Sequence, residues 1–461
     1  HWGRNSLFPR NFAERGHQPA FTAAGAPTVA TKALMEGLGE AHFEGLDRSA
    51  YQVTPPGATA DDVARFELEV AEAIVRYARH ASQGRIDPAS ISNNITVDRH
   101  EPAAVETLKA VTEAADAKAA LIAFNPQHEG YKRLRARLVE AYGEQPPVEA
   151  PREQTLFPNG PMIKPGARDE RVALLRERFN LTQSDATDVY DDALVAAVRE
   201  FQRSHGVRPT GNIGPQTVSV LNSGLAGAAP KASALVPELI ANMERWRWLP
   251  RELGEHYVFV NVPEFALFVK RGYEVLHKAR VIVGKPNTQT PIFSDLMDHM
   301  VVNPSWNVPQ SIIRKEMMGK ATASGGGYFN RGNYEVFVGS KKVDPTTVNW
   351  SSVSPGAVRV RQKPGAGNAL GNIKFMFPNN HAVYIHDTSS RGLFSQDYRA
   401  LSHGCVRVHE PFSFADALLS LEKDMDGKAL KKMVGGSERW VRMTYKVPVH
   451  IAYFTTFVDD E

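Results

Sequence analysis

Cysteine is almost missing from this chain: Cys405 is the only one in 461 residues. A lone thiol cannot close an intramolecular disulfide or build a multi-cysteine zinc site. Long apolar runs are missing too. No stretch approaches the roughly 18 consecutive apolar residues of a membrane helix, and no segment has the pattern of a signal peptide. An excess of charge is also lacking. Lys and Arg number 54 against 51 Asp and Glu, a net charge of +3, which gives no argument for a nucleic-acid partner. The chain begins His1, Trp2, Gly3, which reads as a processed or truncated form whose targeting segment lies upstream.

What is present suits a globular protein: 42% apolar and 23% charged residues, enough to bury real cores. At about 150 residues per domain the length suggests roughly three domains. Residues 1–150 read as a mainly helical scaffold region. Thr59 and Asp62 form a capping-box pair, and Val63, Phe66, Val70, Ile74 and Tyr77 recur at spacings of three and four. Further helical runs cover 103–115 and 131–142, and the proline-bearing stretch 143–151 reads as a linker. Residues 165–224 form a second, small module of three short helices. Val172, Leu175 and Phe179 share one helical face, Leu194, Val195, Val198 and Phe201 another, and Pro215 suits the first turn of the third. An Ala/Gly/Ser-rich stretch, 223–234, reads as a second linker and is followed by a helix over 236–248.

The third region, 235–461, changes rhythm. Short β-branched and aromatic segments at 257–262, 266–270, 279–283, 299–303, 374–377, 383–386 and 442–445 are punctuated by Gly, Pro and Asn. They predict a mainly β domain, a sandwich or curled sheet. Between Trp306 and Asn372 the rhythm stops, and an irregular insertion of about 307–371 carrying Tyr328, Phe329, Tyr334, Phe337 and Trp350 reads as a lid. The fold class expected is therefore multidomain α+β, with a sandwich-like β domain, a helical scaffold region and a three-helix module.

Candidate chemistry gathers around Cys405. The segment Ser402, His403, Gly404, Cys405, Val406, Arg407 follows Ile385, His386, Asp387, Thr388, and Cys405 comes 19 residues after His386. A thiol becomes a strong nucleophile beside an imidazole that takes its proton. His386 ends an apolar, β-branched run and is expected to be held by a sheet. Gly404 allows a sharp turn, so backbone N–H groups around it can converge on an oxyanion, each worth ~3 kcal/mol to the transition state. The order His before Cys is the reverse of the papain-like arrangement.

This pattern closely resembles the L,D-transpeptidase signature, in which His is followed by Ser/Thr-His-Gly-Cys, an apolar residue and Asn or Arg. The likeness extends to Arg280, Val281, Ile282, Val283, Gly284, Lys285, Pro286 with Thr290 and Pro291, and to Asn303, Pro304, Ser305, Trp306, Asn307. The small module, through Tyr190, Asp191, Val198, Gln202, Gly211 and Gln216, resembles the peptidoglycan-binding three-helix module, with Thr210-Gly211 where Asp-Gly is usual. Domain order then resembles the large multidomain branch found in Gram-negative bacteria.

The resemblance implies a periplasmic acyltransferase of the cell wall that carbapenems acylate and that needs no cofactor and no metal. Its partners would be peptidoglycan stem peptides, a tetrapeptide donor and a diamino-acid acceptor, joined 3→3 through a thioester on Cys405. His386 would be the base, oriented through the backbone carbonyl of Asp387, and the N–H groups of His403, Gly404 and Cys405 the oxyanion hole. Arg407 is a candidate for a substrate carboxylate or for a structural ion pair. Tyr384 and Trp306 would stand near the cleft or in the core, and Ser402 would bond locally. Two other classes remain open. His381, His386, Asp387, His403 and His409 supply zinc ligands on paper for a peptidoglycan peptidase, though at no familiar spacing. A non-catalytic wall-binding scaffold is the other.

Overall fold

The computed structural model describes residues 18–99, 101–143, 157–158, 160–179, 181, 187–204, 209–214, 217–218, 221 and 232–458. The chain divides into two units, one made of residues 136–239 and one of the two flanking segments together. Helices and sheets both contribute, with the strands concentrated in the carboxy-terminal part. No helix among the described residues is long and apolar enough to cross a membrane.

In the larger unit the front region opens with the short hairpin of β1 (Thr22–Ala23) and β2 (Ala26–Pro27). Its longest helix, Ala60–Gln83, starts at the expected capping box. Thr59 Oγ1 accepts the Asp62 N–H at 3.1 Å and the Asp62 carboxylate accepts the Thr59 N–H at 3.3 Å. Such a cap is worth ~1 kcal/mol. Phe66, Val70, Ile74 and Tyr77 point inward against Leu34, Leu38 and Leu121 in one apolar core.

The same region grips the chain where it enters the β domain. Arg247 Nη2 donates to the Glu44 carbonyl at 2.6 Å, to Tyr131 Oη at 2.9 Å and to Asn125 Oδ1 at 3.1 Å. A guanidinium this buried is tolerated only with acceptors of that kind. Farther along, Thr96 N–H donates to the Ile292 carbonyl at 2.9 Å and Ile292 N–H to that of Asn94 at 2.8 Å, pinning the front region to the chain at Ile292.

The β domain and its insertion supply the remaining strands. These are β3 (His256–Asn261), β4 (Ala266–Arg271), β5 (Glu274–Gly284), β6 (Phe293–Val302), β7 (Trp306–Asn307), β8 (Tyr334–Val338) and β9 (Lys341–Val343). Then come β10 (Val358–Gln362), β11 (Ile373–Met376), β12 (Ile385–His386), β13 (Ala400–Ser402), β14 (Val406–Val408) and β15 (Arg439–Ala452).

Nine strands form one sheet in the order β13-β5-β14-β12-β11-β6-β15-β3-β4. β5 is long enough to serve two neighbours: its first part pairs with β4 and its last part with β14. The sheet therefore closes on itself into a flattened barrel, which leaves few bare edges. Side chains alternate along each strand. Val281, Val283, Met300, Val302, Phe375, Ile385 and Val406 fill the interior, where Phe414 and Leu418 of helix Pro411–Leu418 join them.

The insertion corrects one sequence expectation. The strand rhythm does not stop after Trp306: β7, β10, β8 and β9 form a second sheet in that order. It packs with helical segments around Ile313, Met317, Phe329, Val336, Trp350 and Val360 as a core of its own. The alternation of Val358 and Val360 with Arg359 and Arg361 was the signal for β10, whose apolar residues are buried and whose arginines are exposed.

In the smaller unit, helices Val172–Arg178 and Asp192–Ser204 enclose Leu175, Tyr190, Leu194 and Val198. Tyr190 Oη donates to the Gly211 carbonyl at 2.7 Å, and Gln202 Oε1 accepts the Gly211 N–H at 2.9 Å. Two motif residues thus hold the turn at Gly211, whose φ of +75° suits glycine. Thr217, Val218 and Leu221 are helical. Pro215, Gln216, residues 144–151 of the first expected linker and 223–231 of the second lie outside the described residues.

Candidate active site

β12 and β14 run side by side in parallel, with Ile385 paired to Val406 and His386 to Arg407. Ile385 and Val406 face the barrel interior, so His386 and Arg407 leave on the opposite face. One residue earlier, the Val406 N–H donates to the Tyr384 carbonyl at 3.1 Å, which sets Tyr384 beside Cys405 on that same outer face. From the other side β11 places Lys374 opposite His386. The expected pair and its neighbours are brought together by the register of three short strands.

His386 is buried, and its Nδ1 lies 2.5 Å from the Asp387 carbonyl oxygen. A carbonyl can only accept, so Nδ1 carries the proton and Nε2 presents its lone pair. Burial, with the nearby positive charges of Arg407 and Lys374, pushes this imidazole down to about 3, against the opposing pull of the Asp387 carbonyl. It therefore rests uncharged. The Asp387 carboxylate points elsewhere. It accepts the Asn372 N–H at 2.9 Å and pairs with Arg391 Nη2 at 3.0 Å, with Gly371 packed so closely that a Cβ there would meet its Cγ at 2.3 Å. Asp387 positions the histidine through its main chain.

Cys405 is half-buried. Burial pushes its thiol up, while hydrogen bonds from the Tyr384 N–H and hydroxyl and the charge of Arg407 work against the rise. The Tyr384 hydroxyl also accepts from the Trp306 indole, and the Tyr384 ring lies 5.6 Å from that of His386. Both aromatics thus stand at the site. Trp306 in addition packs on the apolar core of the insertion, joining that subdomain to the sulfur through one tyrosine.

The loop before the cysteine is held from two sides. Ser402 Oγ accepts the Gly404 N–H at 3.1 Å and donates to the Cys405 carbonyl at 2.6 Å. The Gly404 N–H, expected as a free oxyanion donor, is therefore already engaged by Ser402 in the resting site. Thr290 Oγ1 donates to the Gly404 carbonyl at 2.8 Å while accepting the Gly284 N–H at 2.8 Å, and Thr288 Oγ1 donates to the Ser402 carbonyl at 3.1 Å. Gly404 has φ of +116°, a conformation strained for other residues. His403 bonds Glu316 of the insertion, Nε2 to Oε1 2.5 Å.

The five residues considered as zinc ligands do not converge. His381 bonds Thr96 Oγ1 at 2.9 Å, His409 packs edge-on against Phe394, and His386 and His403 have the partners above. Among the described residues no three His, Cys, Asp or Glu side chains gather as a metal site would need. Sequence reasoning missed Lys374, Glu316, Thr288 and Arg391. Thr290 had been noticed only as part of a likeness, and its two hydrogen bonds now give the reason.

Three segments of the chain match known protein families. Residues 255–425 match the family described as "L,D-transpeptidase catalytic domain", residues 169–221 "Putative peptidoglycan binding domain" and residues 7–138 "Scaffold domain". A "Putative L,D-transpeptidase" of Haemophilus influenzae is 37% identical over 191 residues, covering 41% of this chain and 38% of that relative. The chain thus spans well under half the length of the curated relative it matches. Among solved structures, an L,D-transpeptidase from Mycobacterium smegmatis is 16% identical, with 43% of this chain and 58% of that one covered and a TM-score of 0.22. L,D-transpeptidase 1 of Mycobacterium tuberculosis is 12% identical, with 43% and 61% covered and a TM-score of 0.19. The segment that carries His386 and Cys405 is thus the one that matches the L,D-transpeptidase catalytic domain.

Proposed function

We propose that this protein cross-links peptidoglycan stem peptides through a thioester on Cys405. The observation that carries the proposal is an uncharged His386 whose Nδ1–H is fixed on the Asp387 carbonyl, one strand away from Cys405 and on the same face. As Cys405 Sγ attacks the carbonyl of the third, diamino-acid residue of a tetrapeptide stem, its proton passes to His386 Nε2. The tetrahedral oxyanion forms beside the main-chain N–H groups of His403 and Cys405, with Arg407 supplying positive charge nearby. When it collapses, His386 protonates the departing nitrogen of D-alanine and the thioester remains. The side-chain amine of a second stem's third residue then attacks, loses its proton to His386, and expels the thiol to give a 3→3 link.

The subdomain between β6 and β11 fits this two-substrate chemistry. It reaches the catalytic loop through Glu316 and the tyrosine beside the sulfur through Trp306, so it can order the acceptor and restrict water, the competing nucleophile. The match to a peptidoglycan-binding family supports a wall substrate, and the periplasm is the compartment we propose for the reaction. The test is to incubate the protein with disaccharide-tetrapeptide and fragment the products by mass spectrometry. Free D-alanine and a dimer linked between two third residues are expected. Linkage from the fourth residue, or activity abolished by chelators and untouched by thiol alkylation, contradicts the proposal.

A further inference from the structure

Two cations flank His386, and among the described residues no carboxylate is bonded to either. In the sheet register Lys374 stands opposite His386 on one side and Arg407 on the other, and directly opposed side chains on one face are neighbours, about 5 Å apart at Cβ. The Lys374 ammonium lies 5.8 Å from the centre of the Tyr384 ring, which itself borders Cys405. Arg407 Nε is buried with no hydrogen-bond partner. Glu438, the acid whose charge reaches Lys374, accepts the Ser305 N–H at 2.5 Å and the Ser305 hydroxyl on one oxygen, with no direct ion pair to Lys374 among the described residues. Burial holds both Lys374 and Arg407 below their ordinary ranges. Cations withdrawn from water and left without a bonded counter-ion are built to receive an anion.

The chemistry names the anion, provided the reaction proposed above is the one catalysed. His386 must hand a proton to the nitrogen of the leaving amino acid. In that residue the carboxylate sits on the carbon that bears the nitrogen, two bonds away. A nitrogen at His386 therefore brings its carboxylate among the immediate neighbours of the imidazole on this face, of which Lys374 and Arg407 are the cations.

We propose that Lys374 and Arg407 together bind the terminal carboxylate of the leaving residue and so select donor stems that end one residue after the scissile carbonyl. An extra residue moves the carboxylate by about 3.5 Å, out of the clamp's reach. Lys374 adds a second cation on the opposite side of His386 from Arg407, which fixes the leaving group's orientation over the imidazole.

The experiment compares thioester formation on Cys405 from a tetrapeptide stem ending in a free carboxylate and from its carboxy-terminal amide. The wild type is expected to prefer the free acid by at least roughly 30-fold in kcat/KM. In Lys374→Met that preference falls below about tenfold, and Lys374→Arg, which keeps the charge, restores most of it. Equal rates with both donors in the wild type overturn the clamp, and so does a Lys374→Met variant in which both rates fall in step. Thioester with neither donor overturns the reaction itself and the clamp with it.

Discussion

Cys405→Ala is expected to abolish acylation by stem peptide and by carbapenem alike. The chain holds no second thiol, so no neighbour can take over the attack. When a nucleophile and its base act as a unit, losing the nucleophile costs roughly a million-fold in turnover. Intact mass reports the loss directly: the wild type gains the mass of a bound carbapenem and the variant gains nothing. Little of the architecture should change, because Cys405 is outside the barrel core that Val406 and Val408 enter. An adduct persisting in the variant would mean that another group is the nucleophile.

His386→Gln is expected to lower kcat for acylation by about 10²–10⁴, with KM little changed. Glutamine is of similar size and can donate to the Asp387 carbonyl, but it cannot take the thiol proton. Protonation states sharpen the expectation. The imidazole, pushed down to about 3, stays unprotonated throughout the neutral range, and burial keeps the thiol above its ordinary value. The pair rests as thiol and imidazole. Below the thiol pKa the thiolate fraction grows tenfold per pH unit, so alkylation of wild-type Cys405 by iodoacetamide should climb by roughly a hundredfold between pH 7 and pH 9. Acylation by substrate, assisted by the base, should instead hold level on the acid side until His386 begins to gain a proton. An alkylation rate already level from pH 6 would show a resting thiolate–imidazolium pair instead.

Much of this was legible in the residues. The helix Ala60–Gln83 announces itself by a capping box and a repeating apolar face, because helix starts and packing are both local and periodic. The catalytic pair could be read because its chemistry admits few residue types at a short separation. Longer-range relations were not legible. Nothing in Lys374, Phe375, Met376 reveals that Lys374 lies opposite His386, since register depends on where distant strands meet. Glu316 reaches His403 from 87 residues away, a distance in sequence that no pattern bridges. The strands inside the insertion were not legible because they are short and partly polar, so that only β10 alternates clearly. Gly404 was read as a free donor since the neighbouring Ser402 hydroxyl has many options in an isolated sequence and one in the folded loop.

The central claim is that Cys405 carries the donor stem as a thioester. It is tested most directly by mixing the protein with disaccharide-tetrapeptide, quenching in acid, and fragmenting the peptide that contains Cys405. The account predicts a disaccharide-tripeptide acyl group on that sulfur, one D-alanine released for each group bound, and discharge of the group by a diamino-acid amine. D-alanine released while Cys405 stays unmodified at every quench time, at a rate that thiol alkylation leaves intact, would contradict it.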